Sequence, residues 1–296
     1  MQERWASLRV SRAIRLKWLA RTIPGARKAT MHFHLDFSAS NILWILSFAA
    51  ELVLLVVLLG RDRARRFRWF TLYIALLALL LLINKLVLGR MAPVASAAIY
   101  LTVSDATVLV GLVVIAGLAK QAFGGAPRKP LALGALLVLG IALAALALWG
   151  PWPAWKTFTT GSVLATLRGM QMFAEKGTML IAMLAIEVTV AVLLFGRRFD
   201  AGWRSHVQQI LIGLSLAGMS QLAVRALWQR IAAHAVVHSL SEYERLLGVR
   251  ARIFDANNMV FLCALVWWIA WLWLEEPATA KTAEGSGGAD SGGADA

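Results

Sequence analysis

The chain has 296 residues, of which 59% are hydrophobic and 16% charged, and its formal net charge is +14 at pH 7. A soluble domain of this size would expose too much apolar surface at that composition, which excludes an ordinary soluble globular protein. The positive charge does not indicate nucleic-acid binding, because Lys and Arg lie between long apolar stretches, where the positive-inside rule and anionic lipid headgroups explain them. We therefore expect an all-α, polytopic membrane bundle in contact with anionic headgroups.

Residues 1–40 form a basic N-terminal segment. Its first 30 residues contain eight Lys or Arg and a single acid, Glu3. Interspersed apolar residues such as Trp5 and Trp18 predict an amphipathic helix on a membrane surface. A second interpretation is that translation starts at Met31, and both interpretations stay open.

Seven apolar stretches follow, each close to the length that crosses a hydrocarbon core of roughly 30 Å. Gly and Pro cluster between the stretches, and none shows the alternation typical of barrel strands, so helices are predicted. The predicted spans are 41–59, 69–88, 94–118, 131–149, 179–195, 207–228 and 257–274. Residues 41–274 thus form the transmembrane domain, and residues 275–296, rich in Gly, Ser, Ala and Asp, predict a disordered tail.

The connections between spans predict an orientation. The first, third and fifth connections carry most of the loop Lys and Arg, beginning with the run RDRARRFR at 61–68. These connections and the C-terminus are therefore expected in the cytoplasm and the N-terminus outside, although the basic first 30 residues would then have to be translocated. The long connections 151–178 and 229–256 predict amphipathic helices lying at the outer interface.

Ionisable side chains inside membrane spans cost a few kcal/mol on insertion scales, so each is a candidate for function. We expect a polar network that opens to the outer side, in which Asp105 pairs with Lys85 or Arg225. Ser215, Gly218, Gln221 and Arg225 follow at helical spacing, so this face is expected to point into the bundle. The candidates for ligand binding or ion relay are Glu51, Asn84, Lys85, Asp105, Glu187, Gln221 and Arg225. The structural alternative is that the cations snorkel to headgroups and that Glu51 is a protonated carboxyl.

A metal site is a second hypothesis. His234, His238 and Glu242 stand at i, i+4 and i+8, which would place them along one stripe of a helix, and His32 and His34 are expected on the same side of the membrane. Such a set could bind zinc or another metal that prefers imidazole. The alternative is chance spacing, since no HExxH motif is present. P-loop and GxSxG motifs are also absent, so neither a cofactor nor catalysis is predicted.

The stretches NILW, RRFRWFTLY and IYLTVSDATVLVGLVVI, all within the first three spans, carry a resemblance. In this order they are similar to uncharacterised bacterial seven-helix inner-membrane proteins of sensor or receptor type. The resemblance implies a seven-helix fold in the bacterial inner membrane and brings no activity to any residue. Retinal is not implied, because the seventh span contains no lysine for a Schiff base.

Three functions remain open from the sequence. The first is a receptor-like protein that takes a small ligand or a partner from the outer side without catalysis. The second is an ion-coupled transporter or permease with carboxylates as relay groups, although no inverted repeat is visible. The third is a structural subunit that binds a partner membrane subunit.

Overall fold

The computed structural model describes residues 39–87, 90–124, 128–149, 152, 161–195, 205–235 and 239–275. Within these ranges it contains helices and no strand. The seven long helices are α1 (Ala39–Gly60), α2 (Arg68–Leu86), α3 (Pro93–Ala122), α4 (Arg128–Leu148), α5 (Val163–Phe195), α6 (His206–His234) and α7 (Leu240–Trp273). A single helical turn, Arg63–Arg66, lies between α1 and α2. The predicted all-α helical bundle is confirmed, whereas the predicted segment 1–40, apart from its last two residues, and the predicted tail beyond Glu275 lie outside the described residues.

Six of the long helices are apolar and long enough to cross a membrane, with mean hydropathies between 1.6 and 2.7 in their most apolar windows. They are α1, α2, α3, α5, α6 and α7. The apolar part of α4, Ala132–Leu148, is shorter. Its rise of about 26 Å falls somewhat below the hydrocarbon thickness of roughly 30 Å. The described residues therefore contain six clear spans and a seventh, shorter candidate at the predicted position.

The helices pack into a closed ring. Helix α1 contacts α2 and α7, α2 contacts α3, α3 contacts α5, α5 contacts α6, and α6 contacts α7. A smaller contact joins α3 to α6, and α4 packs on α5. Neighbours α1 and α2 are antiparallel, since Trp44 Nε1 near the start of α1 donates to the Leu81 carbonyl near the end of α2 at 3.2 Å. The ring therefore consists of α1, α2, α3, α5, α6 and α7.

Close packing fixes the register of α5, α6 and α7. The Ser215 hydroxyl of α6 donates to the Ala185 carbonyl of α5 at 2.9 Å and lies 2.5 Å from Thr189 Oγ1. Between α6 and α7, Trp268 Nε1 donates to the Ile210 carbonyl at 3.3 Å. Hydroxyls and small residues at helix contacts are typical of membrane bundles, where apolar burial from water contributes little to helix association.

Helix α7 extends well beyond α1 at one end of the bundle. The two helices run parallel and finish together, because Arg61 lies over the Trp273 ring at 4.9 Å and near Glu275 at 3.9 Å. Helix α7 has 34 residues and α1 has 22, so α7 begins about 18 Å beyond the level of Ala39 at 1.5 Å per residue. Helices α5 and α6 extend with it. We call residues 163–172, 229–234 and 240–252, which lie at this end of the bundle, the overhang.

The overhang corrects one expectation. The connections 151–178 and 229–256 were expected to hold separate amphipathic helices, but residues from Val163 belong to α5, and residues 229–234 and 240–256 belong to α6 and α7. The reason lies in the start of α7, where Ser239 and Glu242 form a capping box. No proline interrupts the next 34 residues, so the helix continues into the span without a break. Residues 153–160 of the first connection lie outside the described part of the chain.

Candidate functional site: polar side chains among the spanning helices

Glu51 lies near the middle of α1 and is only 1% exposed. It shares the inward face of α1 with Ser47, Leu54 and Leu58, which are also buried. Its Oε2 atom finds no hydrogen-bond partner among the residues that the structure describes. Across the contact with α2, Tyr73 lies within electrostatic range of the Glu51 carboxyl. Glu51 is therefore a fully buried carboxyl group in an almost entirely apolar environment.

Asp105 lies on a different face of the bundle. Its helix, α3, packs through Val108 against Gly177 of α5 and through Gly111 against Tyr73 and Ile181. At 100° per residue, Asp105 is rotated about 60° from Val108 and about 120° from Gly111 in the same sense. It is half-buried, and its Oδ1 atom has no hydrogen-bond partner in the described ranges. Asp105 therefore points away from the side of α3 that meets Tyr73.

Glu187 faces α4. It follows Lys176 by 11 residues, which is close to three helical turns, so the two side chains share a face of α5. Lys176 Nζ donates to the Trp149 carbonyl at the end of α4 at 2.5 Å, which shows that this face is turned towards α4. Glu187 is half-buried, and its Oε2 atom takes no partner from the described part of the chain. The three membrane carboxyls thus occupy three separate positions and form no common network.

Lys85 and Asn84 lie exposed at the end of α2. Lys85 Nζ donates to Asn41 Oδ1 at 2.9 Å and lies 5.5 Å from the centre of the Trp44 ring. The expected pairing of Lys85 with Asp105 is therefore not found, because Lys85 instead binds the start of α1. Two ion pairs of the described ranges, Arg61–Glu275 and Arg65–Asp62, lie at the opposite end of α1 and α2 from Lys85 and Asn84.

Arg225 stands at helical spacing from Ser215 and Gly218 on α6. Earlier on this face Ser215 is buried against α5, and Gly218 packs so closely that an added Cβ would lie 3.0 Å from the Ala182 Cα. One and two turns further along, Gln221 and Arg225 are half-buried. Arg225 lies at the same level of the bundle as Glu175 and Lys176 of α5. The guanidinium thus sits at the base of the overhang.

The sequence analysis missed two neighbouring charged residues of α5, Glu175 and Lys176. Glu175 and Lys176 lie within electrostatic range of Arg225. Gln171 donates to Glu175 Oε1 at 3.2 Å, and Lys176 Nζ also lies over the Trp152 ring at 4.6 Å. The sequence placed both residues in a connection, and the available signal was the uninterrupted helical sequence that joins them to the fifth span. Arg225 itself has neither a hydrogen bond nor an ion pair with any described residue.

The metal hypothesis stays a prediction, because three of its five residues lie outside the described ranges. Helix α6 ends at His234, Ser239 caps the start of α7, and Glu242 belongs to α7, so the predicted single stripe does not exist. Glu242 Oε2 accepts from the Ser239 backbone N–H at 3.2 Å as part of the capping box. Across the described ranges no three His, Cys, Asp or Glu side chains lie close enough to hold a metal ion. His32, His34 and His238 lie outside the described residues.

The comparisons with protein-family models, curated proteins and solved structures give no match to this chain. Its class therefore rests on the fold and on the composition of its helices. The chain is a multi-pass integral membrane protein built as an α-helical bundle, and its described residues contain six long apolar helices and one shorter. The polar side chains buried in that bundle are the starting point for its function.

Proposed function

We propose that this protein is a receptor- or sensor-like protein of the bacterial inner membrane that binds a small anionic ligand at Arg225 without catalysis. The observation that carries the proposal is the half-buried guanidinium of Arg225, which makes no hydrogen bond or ion pair with a described residue. A buried or partly buried cation normally has a partner, because a lost hydrogen bond to a charged group is costly. A bound anion would supply that partner.

The chemistry of the neighbourhood favours a ligand with a carboxylate or phosphate group. A guanidinium presents five N–H donors in a planar fork that matches both anions. Lys176 is committed to the Trp149 carbonyl, and the Glu175 carboxylate offsets one of the two positive charges nearby. The local charge is then about +1, which suits a ligand with a single anionic group. Gln221, one turn before Arg225, would add an amide.

The positive-inside rule supports entry of the ligand from outside the cell. The basic turn, residues 61–68, carries five arginines and lies at the end of the bundle opposite the overhang. A dense basic connection of this kind favours the cytoplasmic side, which would place the overhang and Arg225 outside. The N-terminus would then be outside and the C-terminus in the cytoplasm.

Helix α6 connects the proposed ligand site to the basic turn. It carries Arg225 near one end and begins at His206, and Arg63 Nη1 lies 2.6 Å from His206 Nε2. Arg63 Nη2 also donates to the Leu274 carbonyl just after α7 at 2.5 Å. A ligand that shifts α6 would therefore move the basic turn, which is the surface offered to a cytoplasmic partner.

Calorimetric titration of the purified protein in lipid nanodiscs tests the proposal. The probes are acetate, succinate, glutamate and inorganic phosphate. At least one should bind saturably, and Arg225→Gln should weaken it tenfold or more, since a hydrogen bond to a charged group contributes about 1.5–3 kcal/mol. The matched control is Arg230→Gln, an exposed arginine on the same helix, which should bind normally.

Two results would contradict the receptor interpretation. One is unchanged affinity in Arg225→Gln for a probe that binds the wild type. The other is uptake of the same radiolabelled probe into proteoliposomes that is lost in Glu51→Gln or Asp105→Asn, since that result indicates transport.

A further inference from the structure

Glu51 has no role in the proposed ligand site. Among the described residues it is the most completely buried ionisable side chain. It lies 12 residues from Ala39 and 9 from Gly60, or about 18 Å and about 14 Å along the helix axis. Water therefore has a long distance to travel from either end. Its exposed fraction is 1%, and its Oε2 atom has no hydrogen bond from a described neighbour.

The helices packed against α1 supply no counter-charge. The stretch 70–81 of α2, which lies opposite Glu51, contains one titratable side chain, Tyr73. The corresponding stretch of α7, 258–268, contains no Asp, Glu, His, Lys or Arg, and its Cys263 is exposed. On α1 itself Glu51 is the only ionisable residue of the helix. An ionised carboxylate in such surroundings is strongly disfavoured unless a positive species binds it.

We propose that Glu51 is a proton-binding site in the middle of the bundle. Its carboxyl carries a proton while α1, α2 and α7 are packed together and releases that proton when these helices separate. A metal cation suits the site less well. Sodium or a divalent ion needs several oxygen ligands, whereas the described surroundings supply one carboxylate and the hydroxyls of Ser47 and Tyr73. The proposal does not depend on the ligand site at Arg225.

Infrared difference spectroscopy of the full-length protein in nanodiscs detects this proton directly. A protonated carboxyl gives a C=O stretching band that is separate from the carboxylate and amide bands. We expect the band in the wild type at neutral pH, its loss as the pH is raised, and its absence from Glu51→Gln at neutral and higher pH. Asp105→Asn and Glu187→Gln serve as matched controls and should keep the band.

Thermal unfolding gives an independent test. A group that binds its proton more tightly in the folded state loses stabilisation as the pH rises, because the unfolded state then holds fewer protons than the folded state. The melting temperature of the wild type should therefore fall with rising pH, while that of Glu51→Gln, which has the shape of the protonated acid, should stay nearly constant. If Glu51→Gln does not fold, Glu51→Asp should move the infrared band, and Tyr73→Phe should shift it without removing it.

The proposal is overturned by a band that persists in Glu51→Gln at neutral pH, or by the absence of any protonated carboxyl band from the wild type at neutral pH. It is also overturned if the wild-type band disappears at constant pH when sodium replaces a bulky organic cation. That last result would assign Glu51 to a metal cation instead.

Discussion

Replacing Gly213 with alanine tests the contact that holds α6 against α7. A Cβ at this position would lie 2.2 Å from Nε1 and 2.6 Å from Cε2 of Trp268. The indole has no room to withdraw, because Trp268 is fully buried and packs edge-on against Phe70 with ring centres 5.2 Å apart. Its N–H also donates to the Ile210 carbonyl of the same helix as Gly213. Either α6 moves away from α7 or the indole leaves its position and loses that hydrogen bond.

The magnitude follows from these two losses. Overpacking a well-packed core by one methyl group costs about 1–3 kcal/mol, and the lost indole hydrogen bond adds about 1 kcal/mol. Gly213→Ala should therefore destabilise the bundle by about 2–4 kcal/mol, against which the better helix propensity of alanine returns less than about 1 kcal/mol. Reversible unfolding in mixed micelles, followed by tryptophan fluorescence, measures the difference. Gly117→Ala on α3 is the control, because a Cβ there meets nothing within 4 Å. Equal stability of the two variants would refute the packing of Trp268 on Gly213.

Two further substitutions test other contacts in the same unfolding assay. Arg63→Gln should destabilise the bundle by about 1.5–3 kcal/mol, because it removes charge-assisted bonds to His206 and to the end of α7. The control Arg65→Gln removes an exposed side chain and should cost less than about 1 kcal/mol. Equal effects of the two substitutions would contradict the contacts of Arg63 with His206 and α7. Ser215→Ala should cost about 0.5–1.5 kcal/mol through loss of its bond to the Ala185 carbonyl while the fold stays intact; a gain in stability would show that this hydroxyl does not bridge α5 and α6.

The spans could be predicted from sequence because length and hydropathy are local properties. The same local signal cannot tell which face of a helix meets which neighbour. Glu187 and Glu51 both stand near the middle of apolar stretches, yet Glu51 faces the interior of the ring and Glu187 faces α4. That difference depends on the order of helices around α5, which is set by packing between distant parts of the chain.

The charged pair Glu175 and Lys176 shows a second limit. A helix can cross the hydrocarbon and continue into water without a break in its backbone. Its residues become more polar at the interface, so a span predicted from hydropathy ends before the helix does. The opposite error affected His234 and Glu242, where regular spacing predicted one helix and Ser239 starts a new one. A Ser followed three residues later by Glu is a capping signal, and it outweighs the i, i+4, i+8 spacing of the polar residues.

Helix α7 packs against both α1 and α6, so it lies between the two polar sites. Its Asn257 accepts a hydrogen bond at 3.0 Å from Ser220, which stands five residues before Arg225. If a carboxylate probe at Arg225 shifts α6, α7 should shift with it and change the packing around Glu51. Linkage then requires the saturating probe to move the pH midpoint of the Glu51 infrared band, and pH to change the affinity of the probe by the same factor. Arg225→Gln should abolish both effects. A midpoint that stays constant while the probe binds would show that α7 does not couple the two sites.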